Sequence, residues 1–193
     1  IEIDVPESWD VACPLEAAGG KRRFRAADYP TLVDAPIMAG SLSRWTFEHG
    51  GIPHDLVLDS RDKEGRPSAA RLLESLKKTA AAYEEMIGKA PYKRWTLLMV
   101  EGVSGERQHR NALTVGVDDD ELGGDAIDIL VQASISMATT RMAGRVRPAA
   151  LVTADPFTTP KTPSLWFTSG WPLWASRLAL LRAGAAPARW RGD

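Results

Sequence analysis

The side chains in this sequence that could bind a metal ion or act as a general base are few. The chain has three histidines, His49, His54 and His109, and one cysteine, Cys13. A catalytic zinc ion needs three protein ligands around an open position for water. His49 and His54 lie five residues apart with no third ligand beside them, so we interpret them as loop histidines. The sequence therefore contains few side chains that could bind a catalytic metal ion.

Residues 125–144 have the spacing of an α-helix. Asp125 is placed as an N-cap, and Gly144 and Pro148 follow as stop signals. Between Ile129 and Thr140 there is no His, Cys, Asp, Glu or Lys. Hardly any side chain of this helix can therefore do chemistry. Apolar or small side chains that recur every third or fourth position predict the buried face: Ile127, Leu130, Val131, Ser134, Ile135, Ala138 and Met142.

Three segments that follow this helix have distinctive sequences: Arg145-Val-Arg-Pro148, Leu165-Trp-Phe-Thr-Ser-Gly170 and Leu178-Ala-Leu-Leu-Arg-Ala-Gly184. They resemble, in the same order, segments of the glycyl aminopeptidase family, which are zinc peptidases of the gluzincin type. In that family a helix with His-Glu-x-x-His precedes the first segment, and the second carries a glutamate as third zinc ligand. Upstream segments at residues 47–57, 90–98 and 109–111 are similar to further parts of the family, so the resemblance covers most of the chain.

The resemblance implies which positions correspond to the zinc site. Counting back from Arg145, the two histidine ligands correspond to Ile135 and Thr139, and the general-base glutamate corresponds to Ser136. The third ligand corresponds to Ser169. Every matched position that should bind metal or carry charge is therefore neutral.

The family also has a Gly-Gly-x-Glu-His strand, whose glutamate is expected near the amino end of the substrate. The matching segment begins at Gly105, and the glutamate position is Gln108. The resemblance implies that Gln108 and His109 line the cleft from a strand edge. Arg145 and Arg147 of the basic segment are the remaining cleft candidates.

These replacements predict a catalytically inactive relative of a zinc aminopeptidase, acting as a peptide-binding or scaffold module. Isoleucine, threonine and serine do not compete for zinc at neutral pH, so we expect neither zinc nor another cofactor. A different register does not restore the motif, because no histidine follows His109.

The alternative is a hydrolase with non-metal chemistry. Ser136 or Ser169 would be its nucleophile, and His109 would be the base that a serine nucleophile needs within hydrogen-bond reach. Covalent labelling of either serine by a fluorophosphonate probe would support this alternative.

The fold class predicted is α+β. A β-rich N-terminal domain, residues 1–60, is expected to precede a gluzincin-like (thermolysin-like) domain with a small sheet and helices, residues 61–193. The resemblance implies that both domains are partial and that the second is truncated at its C-terminus. A helix face left uncovered by truncation suggests a homodimer as a further hypothesis.

Local patterns predict the elements that position these residues. Trp166, Trp171 and Trp174 cluster at the start of the last helix, and we expect core packing of all three in preference to a ligand platform. The remaining predictions are a hairpin over Trp45–Leu58, a helix over Ser68–Ile87, strands at Trp95–Val100 and Asn111–Val117, and a polar loop over Glu101–Arg110.

Composition limits the partners. A formal net charge of -1 gives no electrostatic footprint for nucleic acid or an anionic membrane. No apolar run reaches the length of a membrane helix. A peptide or protein is therefore the expected partner. The first residue is Ile, so we expect that an upstream segment was removed, and the resemblance implies a bacterial protein of the periplasm or the exterior.

Overall fold

The computed structural model describes residues 1–59, 67–118, 124–146, 148, 162–164 and 166–190. The strands are β1 (Asp10–Ala12), β2 (Glu16–Ala17), β3 (Phe24–Arg25), β4 (Met38–Gly40), β5 (Leu42–His49), β6 (Ile52–Asp59), β7 (Trp95–Glu101), β8 (Glu106–Gln108) and β9 (Ala112–Val117). The α-helices are α1 (Tyr29–Asp34), α2 (Pro67–Ile87), α3 (Ile127–Ala143) and α4 (Trp171–Arg182). A π-helical turn, Trp166–Gly170, precedes α4, and a 3₁₀ turn covers Ala188–Trp190. The predicted α+β class is confirmed.

A five-stranded mixed sheet in the order β5-β6-β7-β9-β8 organises these elements. β5 and β6 form the predicted antiparallel hairpin, which pairs Trp45 with Leu56. β6, β7 and β9 are parallel to one another, and β8 returns antiparallel at the edge. The helix between β6 and β7 is α2, which provides the long crossover that parallel strands require.

The two faces of the sheet are covered differently. Side chains alternate between the faces of a strand, so Leu97 joins the large core beneath α2, α3 and α4, while its neighbour Leu98 faces the other way. On that second face Leu98 packs with Val57, and with Ala12 and Met38 of the paired strands β1 and β4. The N-terminal strands and the helices thus lie on opposite sides of one sheet.

Helix α3 occupies the predicted position, but its buried surface extends beyond the predicted face. Val131 and Ile135, predicted to be core residues, are only half-buried, whereas Ser136 and Arg141 are fully buried. The reason is that α3 packs against α2, α4 and strand β9 at once, which encloses most of its circumference. The N-cap position belongs to Ala126, although the Asp125 carboxylate accepts a hydrogen bond from the Ile127 amide at 3.2 Å.

Three other local predictions need correction. His49 and His54 are not loop histidines but lie in strands β5 and β6, and His54 is buried because β6 has a paired strand on each side. The predicted loop between β7 and β9 contains strand β8, whose three residues are all exposed and polar and so give no apolar alternation. Trp166 and Trp174 are 71% and 59% exposed, so they are not core residues, and Trp171 alone of the three packs against the main core. Aromatic composition did not reveal which faces of these turns the rest of the chain covers.

The division predicted between residues 60 and 61 falls within the span of the sheet, because β6 pairs with β7 in parallel register. As a domain boundary it stays a prediction, as do the gluzincin assignment and the C-terminal truncation. Among the described helices, none is both long enough and apolar enough to cross a membrane.

Candidate functional site

A cavity of about 970 Å³ lies between the N-terminal strands, the edge of the sheet and the C-terminal half of α3. Four parts of the chain contribute to its wall. The lining residues are Pro14, Leu15, Glu16, Ala17, Arg25, Ala27 and Thr31 from the N-terminal part, Pro91, Tyr92, Lys93 and Arg94 before β7, Gln108, His109, Arg110 and Asn111 at the turn from β8 to β9, and Thr139, Thr140, Ala143 and Gly144 from α3.

Three residues implied by the family resemblance meet at this cavity: Gln108, His109 and Thr139. Gln108 Nε2 donates to the carbonyl of His109 at 2.5 Å and to Thr140 Oγ1 at 3.3 Å, which ties the edge strand to the helix. The two threonine hydroxyls donate one turn back, to the carbonyls of Ile135 and Ser136, at 2.9 Å each. The contact between strand and helix is therefore neutral throughout.

The remaining matched positions lie elsewhere. Ile135 is half-buried on α3, one turn from Thr139, and does not line the cavity. Ser136 is buried, and its hydroxyl makes no hydrogen bond with any residue that the structure describes. Ser169 is exposed on the π-helical turn before α4. Its predicted position opposite Ile135 and Thr139 stays a prediction.

The two basic cleft candidates have different outcomes. The Arg145 guanidinium donates to the carbonyls of Arg141 and Lys89, so it supports the end of α3 and does not line the cavity. Arg147 lies outside the described residues.

His109 is oriented by contacts on both ring nitrogens. Nε2 lies 3.3 Å from Thr114 Oγ1, and Nδ1 lies 3.8 Å from a carboxylate oxygen of Asp34. The nearby His109 ring holds the pKa of the Asp34 carboxyl below its usual range, against the opposing effect of burial. Neither Ser136 nor Ser169 is among the partners of this histidine in the described chain, so these contacts do not favour the serine hydrolase alternative.

The zinc ion that the resemblance implies does not fit the residues at the matched positions. Ile135 offers no donor atom, and the Thr139 hydroxyl is already engaged with a helix carbonyl. Zinc sites in proteins use thiolate, imidazole and carboxylate ligands, which neither Thr139 nor Ser169 supplies. Within the described ranges, no group of three His, Cys, Asp or Glu side chains could hold a metal ion.

Tyr92 of the cavity wall is half-buried and connects to two buried side chains behind the wall, His54 and Arg141. His54 Nδ1 is 2.9 Å from the carbonyl of Ile52, which only accepts, so this nitrogen carries the proton. Nε2 of the neutral ring then accepts from the Tyr92 hydroxyl at 3.2 Å, and the Tyr92 oxygen accepts from Arg141 Nη1. Burial lowers the pKa of His54 to about 4, to which the nearby Arg141 charge contributes. Burial also raises the pKa of Tyr92.

Sequence reasoning missed this network and most of the cavity wall. Arg141 is 1% exposed, and its guanidinium lies 5.3 Å and 5.4 Å from the ring centroids of Tyr83 and Tyr92. Arg141, the single basic side chain of α3, was the one available signal, since such a charge is buried only where the fold supplies partners.

Comparison with known proteins supports a metallopeptidase relationship. Residues 1–41 match the Peptidase M61 N-terminal domain. No curated protein matches the chain. The M61 match supports the broad relationship that the sequence resemblance predicted, while the loss of the zinc motif stays a prediction.

Solved structures of similar fold include an aminopeptidase N family protein and a zinc metallopeptidase. An aminopeptidase N family protein from Idiomarina loihiensis superposes with a TM-score of 0.78 at 22% identity, over 94% of this chain and 33% of that one. An M1 zinc metallopeptidase from Deinococcus radiodurans gives a TM-score of 0.54 at 13% identity, over 93% of this chain and 39% of that one. The chain thus spans 33% to 39% of the length of these proteins, and the likeness establishes the fold.

Proposed function

We propose that this metallopeptidase-like chain is catalytically inactive and binds peptides in the cavity of about 970 Å³. The observation that carries the proposal is the meeting of Gln108, His109 and Thr139 on one cavity. These are the positions that the family resemblance assigns to substrate contact and metal binding. Here Gln108 supplies an amide and Thr139 a hydroxyl, so the cavity keeps a wall for a ligand without the groups that would cleave it.

The inactivity follows from the chemistry of the matched residues. A zinc peptidase activates water through the Lewis acidity of the ion and removes its proton with a carboxylate. Ile135, Thr139 and Ser169 provide neither imidazole nor carboxylate, and Ser136 cannot act as the general base. No other set of described residues supplies three candidate ligands.

The peptide as ligand is supported by the shape of the site and by its edge strand. Cavities of about 300 to 1,000 Å³ suit ligands of the size of a short peptide. Strand β8 is at the edge of the sheet, and within the described chain it pairs only with β9. An extended peptide can add to such an edge through main-chain hydrogen bonds. Gln108, the last residue of β8, lines the cavity, so a peptide added there would reach it.

Metal content and turnover test the inactivity. After incubation with zinc and dialysis, elemental analysis should find far less than one zinc ion per chain, and aminoacyl substrates should remain uncleaved. The triple variant Ile135→His/Thr139→His/Ser169→Glu leaves the buried Ser136 in place and should gain zinc binding if the predicted register is right. About one zinc per unmodified chain, lost with peptidase activity on chelation, would refute the proposal.

Peptide binding is tested by filling the cavity. Thr139→Trp should weaken binding of fluorescent peptides by about tenfold or more, because the indole would occupy the cavity. Gln132→Trp is the matched control, since residue 132 is also half-buried on α3, two turns away, but is not on the cavity. Equal affinity of the two variants would place any peptide site elsewhere, and no binding to any peptide would leave a scaffold role.

The resemblance also supports a periplasmic or secreted location. Fractionation of the native host with a tagged chain would test it.

A further inference from the structure

The charge on the cavity wall is strongly one-sided. Four basic side chains line it, Arg25, Lys93, Arg94 and Arg110, against one acidic side chain, Glu16. This asymmetry is local, because the whole chain has a formal net charge of -1. A concave wall of one sign raises the local concentration of ligands of the opposite sign.

Two of the four basic groups are already paired. Lys93 Nζ lies 2.5 Å from a carboxylate oxygen of Glu16, and the hydrogen bond with Lys93 lowers the pKa of the Glu16 carboxyl. Arg94 pairs with the buried carboxylate of Asp55 behind the wall. Glu16, the single acidic side chain of the wall, is thus paired with Lys93. This pairing makes Glu16 a weaker binding partner for a cationic ligand.

The other two basic side chains, Arg25 and Arg110, can contact a ligand in the cavity. Within the described chain neither Arg25 nor Arg110 forms an ion pair, and both side chains are exposed. Arg110 Nη1 donates to Thr31 Oγ1 at 2.9 Å, which orients the guanidinium and leaves its other N–H donors. The carboxylates of Asp28 and Asp34 interact electrostatically with Arg110, and that of Glu16 with Arg25. The oxygens of Asp34 are directed at the backbone amide of Arg110 and the ring of His109.

The guanidinium of Arg141 provides a further positive charge behind the cavity wall. Arg141 is buried and makes no ion pair with a described carboxylate, and its Nε has no hydrogen-bond partner there. Its guanidinium donates to the hydroxyl of Tyr92, a residue of the cavity wall. A charge in a low-dielectric interior is weakly screened, so it adds to the positive potential at this wall.

The group expected to bind a substrate ammonium is missing at the same place. The position that the resemblance gives to a glutamate is Gln108, whose Nε2 donates to the His109 carbonyl and to Thr140. An ammonium entering here would meet an amide and the positive charges of the wall. A carboxylate would meet donors and opposite charge.

We infer that the cavity recognises carboxylate groups of acidic peptides, and that Arg25 and Arg110 are its specificity-determining contacts. Guanidinium groups suit this role because their planar fork of donors matches a carboxylate oxygen pair. The inference rests on the proposed peptide-binding function and reverses the charge preference expected at a site built for a free amino terminus.

Matched peptides test the charge preference. Four labelled hexapeptides are titrated by fluorescence anisotropy. Three of them have an amidated C-terminus and carry either two Glu, two Gln or two Lys at the same internal positions. The fourth carries the two Gln and has a free C-terminal carboxylate. The Glu peptide or the free-carboxylate peptide should bind about tenfold more tightly than the amidated Gln peptide, and added salt should reduce this ratio. Tighter binding of the Glu peptide would show that a side chain supplies the carboxylate. Tighter binding of the free-carboxylate peptide would show that the chain end supplies it.

Arginine variants test the assignment. Arg25→Gln and Arg110→Gln should each reduce the carboxylate preference by about fivefold, while Arg182→Gln, an equal charge change on α4 away from the cavity, should leave it unchanged. If neither the Glu peptide nor the free-carboxylate peptide binds more tightly than the amidated Gln peptide, the inference is overturned and the proposed function still stands. Absence of binding by all four peptides would overturn both. A preference that survives both cavity variants would overturn the assignment to Arg25 and Arg110.

Discussion

Lowering the pH below 7 is expected to destabilise this fold through one buried imidazole, that of His54. Its side chain is 1% exposed, stacks on Phe47 at 4.7 Å, and is held neutral by the hydrogen bonds from Tyr92 and to Ile52. Protonation would place a second positive charge beside Arg141 and remove the acceptor that Tyr92 uses.

The magnitude follows from the difference between two protonation equilibria. The folded pKa of His54 is lowered to about 4, whereas an unfolded histidine titrates near pH 6.5. Between these values the unfolded chain binds more protons, so stability falls as the pH falls. The integrated loss reaches about 3 kcal/mol near pH 4, and it is complete below that pH. Asp34 and Glu16 have lowered pKa values, so their contribution to stability is lost mainly at more acidic pH.

Urea unfolding at a series of pH values from about 7 to 4.5 measures this loss, and the variant His54→Gln separates His54 from the other groups. The variant should lose most of the acid slope whatever its stability at neutral pH. His49→Gln removes a half-buried histidine from the same hairpin, whose charge makes a smaller contribution to lowering the pKa of His54, and should retain most of the slope. NMR titration of the His54 ring provides a readout independent of the variant. Parallel acid slopes for the native chain and His54→Gln, or a ring that titrates near pH 6.5, would refute the reasoning.

Three further predictions concern the same fold. Tyr92→Phe should destabilise the chain by about 3 kcal/mol in urea unfolding, because the buried partners His54 and Arg141, one neutral and one charged, each lose a hydrogen bond. Tyr29→Phe, at a side chain that is 76% exposed, should cost little. Gly116→Ala should cost about 2 kcal/mol, since its Cβ would stand 2.2 Å from the carbonyl oxygen of Val103, whereas Gly170→Ala, with no neighbour within 4 Å, should be near neutral in the same assay. Light scattering at high concentration should give the mass of a homodimer, and the mass of one chain would remove that hypothesis.

Part of the candidate site could be expected from the sequence, through its resemblance to a known family. Gln108, His109 and Thr139 were assigned through the family resemblance, and the structure brings them to one cavity. Arg25, Tyr92 and the other wall residues carried no signal, because they come from turns and short strands whose meeting depends on long-range packing.

The sequence by itself determined the elements with strong local period. The β5–β6 hairpin follows from its Gly50-Gly51 turn between two apolar runs, α2 from its helical stripe, and β7 from its continuous apolar run. It also carries the prediction that the zinc motif is lost, which depends on the family resemblance and not on the fold.

Only the tertiary structure decided which surfaces are covered. The length of α3 was predicted, but its buried sides depend on α2, α4 and β9, which a local pattern does not encode. Strand β8 exists because β9 offers an edge to pair with, so its exposed polar residues carry no strand signal of their own. The positive wall of the cavity arises in the same way, since its charges lie far apart along the chain and meet only when the sheet forms.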